Sequence, residues 1–152
     1  MKNCLESNLS EIKEVILADS GKRSYDFSLN DLIKISYLIL KECPSSNQIA
    51  EPFKRKAKEM KVENNKNVDK EDIGDINFIP GSGIIAKYLN SRILFGSGGF
   101  LQKNGVEIDS VIKNKALKFE KSGLKVFFLG IENYLKCFFV IEGAAQEAVL
   151  TA

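Results

Sequence analysis

Two apolar runs near the end of the chain, Lys125 to Ile131 and Tyr134 to Ile141, are separated only by Glu132-Asn133. Runs of that length, rich in branched and aromatic side chains and broken by two polar residues, read as a β-hairpin. Segments at about 84–89 and 92–95 repeat the signal around Asn90-Ser91, where asparagine tolerates positive φ. Further strands are expected at 75–79 and at 11–18, where Glu-Ile-Lys-Glu-Val-Ile-Leu-Ala alternates and then turns apolar. Consecutive strands joined by tight turns imply an antiparallel sheet.

Helical spacing fills the intervals. Ser28-x-x-Asp31 reads as a capping box opening a mostly buried helix, with Leu29, Leu32, Ile33, Ser36, Tyr37 and Leu40 on one face and Ile35 and Ile39 on a second edge. That helix must stop before Pro44. Ser45 or Ser46 is placed to cap a second helix over about 47–61, carrying Ile49, Phe53, Ala57 and Met60 inward. Pro52 argues for a start a few residues later. The Asn-, Lys-, Asp- and Glu-rich tract 62–74 is the most loop-like. A short helix is expected from Gly98 to Lys103, ending at Asn104-Gly105. A longer one runs from Ser110 to Lys121, with Val111, Ala116, Leu117 and Phe119 apolar and Gly123 as its C-cap. Strands and helices do not alternate strictly. The expectation is an α+β fold, a mainly antiparallel twisted sheet flanked by helix pairs, and not a doubly wound one.

Length and composition bound the function. A chain of 152 residues suits one domain, with its core at about 11–142 and tails at 1–10 and 143–152. Lys+Arg 22 against Asp+Glu 20 leaves a net charge of +2, which gives no pull toward nucleic acid. Lys54-Arg55-Lys56 and Lys58 read as a solvated helix face. There is no histidine, which removes Ser-His and Cys-His dyads and nitrogen-ligated zinc. Cys4, Cys43 and Cys137 form no Cys-x-x-Cys pair, so neither a disulfide framework nor a metal centre is indicated. A reduced setting fits them, with Cys43 and Cys137 as buried small hydrophobes. No apolar run approaches the ~20 residues that cross a bilayer, so no membrane insertion is expected of this chain. Its first residues lack the apolar core of a signal peptide.

The stretch from Phe78 to Ser97 is the candidate binding site. Gly81-Ser82-Gly83 opens its two short apolar segments and Gly96 closes them. Glycine lets backbone approach a ligand where a Cβ would collide. Gly81-Ser82-Gly83-Ile84-Ile85-Ala86 also satisfies a relaxed dinucleotide fingerprint, but that motif needs a helix directly after the glycines. The residues here are strand-like, and no P-loop lysine follows. Tyr25, Phe27 and Phe53 read as core or rim aromatics. Lys87 and Arg92 flank the hairpin within reach of a phosphate, although no spacing requires that role.

From about residue 11 to 142 the chain resembles the nucleotide-binding domain of heavy-metal-transporting P-type ATPases. Those domains carry a glutamate five residues ahead of the histidine of a Ser-Glu-His-Pro motif, then a Gly-x-Gly on a strand turn, then a Gly-Asn after the following hairpin. Here Glu42 matches the acidic position and Ser45-Ser46-Asn47-Gln48-Ile49-Ala50 occupies the motif segment. Pro80-Gly81-Ser82-Gly83-Ile84 matches the Gly-x-Gly, and Gly96-Ser97 stands where Gly-Asn is expected. Phe100-Leu101-Gln102-Lys103-Asn104-Gly105-Val106 and the closing hairpin also fit. The resemblance implies a cleft for ATP formed by Glu42, Asn47, Gly81, Ser82, Gly83, Ile84, Gly96 and Ser97, with no catalytic residue in this chain. It implies a cytoplasmic domain of an integral membrane cation pump, whose partners are the phosphorylation and actuator domains and whose magnesium ligands lie outside this chain.

The departures fall in the adenine site. Asn47 replaces the histidine, Gln48 the proline, Ser46 the glutamate and Ser97 the asparagine. An amide offers no ring to stack on a base, so weaker ATP binding or an altered nucleotide preference is expected. The Asp-Lys-Thr-Gly-Thr phosphorylation motif is absent, and Ala18-Asp19-Ser20-Gly21 does not replace it. Turnover by this chain alone is therefore not expected. The alternative is a degenerate relative that no longer binds nucleotide and acts as a regulatory or interaction module.

Overall fold

The computed structural model describes residues 11–18, 27–43 and 47–142, apart from the side chains of Asn47 and Gln48. Strand β1 (Glu11–Leu17) precedes a helix pair, α1 (Leu29–Lys41) and α2 (Asn47–Glu59). Two 3₁₀ turns, Val62–Asn64 and Lys70–Asp72, lead to β2 (Ile73–Ile79), β3 (Gly83–Tyr88) and β4 (Ser91–Gly96). Helices α3 (Gly98–Lys103) and α4 (Ser110–Lys121) then precede β5 (Lys125–Ile131) and β6 (Tyr134–Glu142). The strands form one sheet in the order β1-β6-β5-β4-β3-β2. Every pairing is antiparallel.

Apart from Lys125 and Lys136, the β5 and β6 runs are apolar on both sides of the strand because the sheet is covered on both faces. Phe127, Leu129, Cys137, Phe139 and Ile141 face the α1–α2 pair, in one cluster with Ile33, Ile39 and Phe53. Their neighbours Val126, Phe128, Phe138 and Val140 face the other way, with Phe100, Leu101 and Ala116 of α3 and α4. The period of two along each strand sorts consecutive residues to opposite cores. Phe53 stands edge-on to Phe139 and Phe95, with centroids 4.8 and 5.7 Å away. Phe53 thus fills a core position as read from its spacing.

Local chemistry explains the helix ends. The Ser28 Oγ accepts from the Asp31 N–H at 3.1 Å while the Asp31 carboxylate accepts from the Ser28 N–H at 3.0 Å, a complete capping box. Ser97 caps α3 by accepting from the Phe100 N–H, and Asp109 caps α4 by accepting from the Ile112 N–H. Helix α1 packs against both the sheet and α2, so both of its apolar edges are buried.

Several details differ from expectation. Pro52 lies inside α2, because the helix begins at Asn47 and not later. In α4 the inward face is Ile112, Ala116 and Phe119, spaced i, i+4, i+7. Val111 and Leu117, each adjacent to an inward residue, are instead exposed at 64% and 46%. The β3–β4 turn places its positive φ on Leu89 (57°), and the β5–β6 turn on Glu132 (62°); Asn90 does not take that conformation.

The tract 62–74 is less loop-like than its composition suggests. The Asn65 amide donates to Asn30 and Asp31, its carbonyl accepts from the Lys34 ammonium, and Val68 is fully buried. β2 begins within this tract, at Ile73. Cys4, Tyr25, the capping serines 45 and 46, and the tails 1–10 and 143–152 lie outside the described residues.

Candidate functional site

The β2–β3 connection is the Pro80-Gly81 turn. The Ser82 N–H donates to the Ile79 carbonyl at 3.0 Å, and Gly81 has a φ of 79°. Proline at the second position and a positive-φ glycine at the third is the type II arrangement, so Gly81 is required by the turn itself. Two residues on, Gly83 lies opposite Gly96 in the β3–β4 ladder. A Cβ on Gly83 would strike the Phe95 carbonyl oxygen and the Phe100 ring; one on Gly96 would approach the Ser82 carbonyl oxygen to 2.5 Å. Phe100 belongs to the α3–α4 core, so this close approach points toward that face.

Their neighbours Ile84 and Phe95 point to the helix-pair face, where a cleft of about 270 Å³ opens. Its backbone floor is Gly81, Ser82, Gly83, Gly96 and Ser97, and Ile84 also lines it. The walls are Leu40 from the end of α1, Ile49 from the start of α2, Phe78 and Ile79 from β2, and Val126 and Phe127 from β5. Phe127 lies parallel to Phe95, with centroids 5.7 Å apart and planes at 11°. Phe78 keeps 38% of its surface exposed.

Glu42 and Asn47 stand at the end of α1 and the start of α2. Glu42 is the exposed C-cap of α1, two residues beyond Leu40, and is not among the lining residues. Burial pushes the Cys43 thiol above its ordinary pKa, with the neighbouring Glu42 charge adding to the shift. Asn47 begins α2, two residues before Ile49. Ser97 lines the floor, but its hydroxyl accepts the Phe100 N–H that opens α3.

Lys87 and Arg92 pair with each other away from the glycines, near the Leu89-Asn90 turn. The Arg92 guanidinium donates to the Asn104 carbonyl at 2.7 Å and to Asn133 Oδ1 at 3.1 Å, which commits it to the fold. Neither residue lines the cleft. Among the described residues no carboxylate lines it either, and no group of His, Cys, Asp or Glu suited to a metal occurs. The donor set does not fit a magnesium site at this cleft.

The aromatic walls were not anticipated. Phe78, Phe95 and Phe127 come from three strands, and only the sheet order brings β5, β4, β3 and β2 side by side. Because β3 begins at Gly83, the helix that a dinucleotide fingerprint requires is missing and that reading is excluded.

No family model and no curated protein sequence matches the chain. Solved structures do match. The N-domain of HMA6, a copper-transporting P-type ATPase, superimposes with a TM-score of 0.61 at 18% identity, over 87% of this chain and 97% of that one. The fold is that of a P-type ATPase N-domain. The N-domain of HMA8, also a copper-transporting P-type ATPase, gives 0.58 at 15% identity, over 86% of this chain and 97% of that one. A zinc-transporting PIB-type ATPase in its E2.Pi state gives 0.63 at 15% identity over 88% of this chain. This chain covers only 19% of that transporter's length. No helix among the described residues is long and apolar enough to cross a membrane.

Proposed function

We propose that this chain binds an adenine nucleotide in the glycine-floored cleft and holds it for phosphoryl transfer to an aspartate in a separate domain. The observation that supports this is the convergence of Gly81, Ser82, Gly83, Ile84, Gly96 and Ser97 on one apolar hollow, within an N-domain fold. A hollow of about 270 Å³ is just below the ~300–1,000 Å³ usual for whole ligands. It suits the base, with ribose and phosphates at the mouth beside Glu42 and Asn47. With no cation or carboxylate among the described lining residues, the triphosphate is presented outward and magnesium travels with it. The parent is a cytoplasm-facing heavy-metal cation pump in a membrane, and its phosphorylation and actuator domains are the partners. Domain closure then controls transfer.

Titration calorimetry with ATP, ADP and AMP tests the reading. Binding weaker than micromolar is expected, because Asn47 stands in place of the stacking histidine. Amide chemical shifts on ATP addition should move around residues 42–50 and 81–97. A flat thermogram together with unmoved shifts would instead establish the degenerate, non-binding module. Phosphate release above background, abolished by Glu42→Ala, would overturn the absence of turnover.

A further inference from the structure

We infer that the cleft selects an aromatic base by stacking and does not distinguish adenine from guanine. This rests on the nucleotide reading above and specifies the ligand class of the same site. Adenine and guanine differ in the donors and acceptors on their pairing edge, so telling them apart needs polar groups fixed against that edge. The described side chains of the cleft offer almost none. Among the described residues, Ser82 and Ser97 are the only lining ones with polar side chains. The Ser97 hydroxyl already accepts the Phe100 N–H, and the Ser82 backbone N–H is used by Ile79. Among the described side chains, what remains is the Ser82 hydroxyl, which donates or accepts by rotation and so serves either purine.

The apolar walls are well suited to a flat ring. Phe127 is held parallel to Phe95 and so stands fixed in orientation before a ligand arrives. Phe78 presents a partly exposed ring to the same hollow. Leu40 and Ile49 close it from the helix side. Base–aromatic stacking is tolerant of base identity because every base has a π-face, and it strengthens with ring area. Phe127 and Phe78 then do the work that a histidine ring would do at position 47.

Competition titrations with ATP, GTP and CTP on the wild-type chain, Phe127→Leu and Phe78→Leu test this. ATP and GTP should bind within about threefold of each other, and CTP several-fold more weakly. Phe127→Leu should weaken ATP and GTP alike by about tenfold, consistent with the loss of one stacking contact. Phe78→Leu, at a half-exposed ring, should weaken both by a smaller factor, and thermal melts confirm that each variant is folded. Tight ATP binding with GTP more than about thirtyfold weaker would overturn the inference while leaving nucleotide binding intact. So would undiminished affinity in both leucine variants. Absence of binding by any nucleotide would sink the nucleotide reading itself.

Discussion

At one end of the β3–β4 hairpin Gly83 faces Gly96, and an apolar hollow opens beside them. At the other end Tyr88 faces Ser91, and a polar clamp surrounds the turn. There the Tyr88 hydroxyl donates to the Asn67 carbonyl, Leu89 N–H to the Asp72 carbonyl, and Arg92 to Asn104 and Asn133. The two ends divide labour along one pair of strands. The clamp ties the hairpin to the 62–74 tract and to the β5–β6 turn, so it serves the fold. The glycine end trades side chains for close backbone approach and leaves a surface that other groups can enter.

That division can be broken most forcefully at the glycines. Gly83→Ala forces a methyl group against the Phe95 carbonyl and the Phe100 ring, and a loss of about 3 kcal/mol in urea-unfolding stability is expected. Gly81→Ala, whose Cβ meets nothing within 4 Å, should lose about 1–2 kcal/mol through backbone strain alone. If the two variants are equally destabilised, the clash is not what holds Gly83.

At the clamp, Arg92→Ala should cost about 1–2 kcal/mol by leaving the Asn104 carbonyl and Asn133 without their donor. Nucleotide affinity measured by calorimetry should not change. A parallel fall in affinity would show that the two ends are coupled.

Alkaline titration separates the regions by a different route. Burial, with lesser help from Asp72, Asp31 and Asp69, raises the Tyr88 pKa, and burial alone drives the Cys137 thiol far up. In both cases the native state keeps its proton after the unfolded chain has lost it. Their contribution is therefore complete below the unfolded values, near ~8.5 for cysteine and ~10 for tyrosine, and declines as pH rises above them. The unfolding free energy from urea titrations should fall above pH ~8.5, with a limiting slope of about 1.4 kcal/mol per pH unit for each group. Cys137→Ala should flatten the first part of the decline and Tyr88→Phe the part above pH ~10. The smallest effect belongs to Leu89, exposed at 59% with a φ of 57°. Leu89→Gly should relieve that strain and raise stability by about 0.5–1 kcal/mol in the same assay.

The clearest sequence signals were those carried by neighbours in the chain. The Ser28–Asp31 box, the two-residue break at Glu132-Asn133 and the glycine turn at Gly81 each act within four residues, and each stands where its pattern placed it. The α4 face was misjudged because Val111-Ile112 and Ala116-Leu117 are adjacent apolar pairs, and only packing against β5 and β6 decides which member turns inward. At the site the glycines were legible while the rings were not. Phe78 and Phe127 are 49 positions apart in the chain and share a cleft only through strand order. The glycines were also read too simply. Gly83 and Gly96 make room for Phe100 as well as bordering the hollow.

Phe100 therefore acts as a wedge behind the cleft. Ser97 fixes the start of α3, α3 carries the ring, and the ring fills the space that two missing side chains leave between β3 and β4. Spreading those strands to admit a larger guest would mean unseating the ring from its own core. One jaw of the cleft is consequently stiff, and accommodation falls to the other, where Leu40 and Ile49 sit on separate helices and can move without breaking a strand pairing.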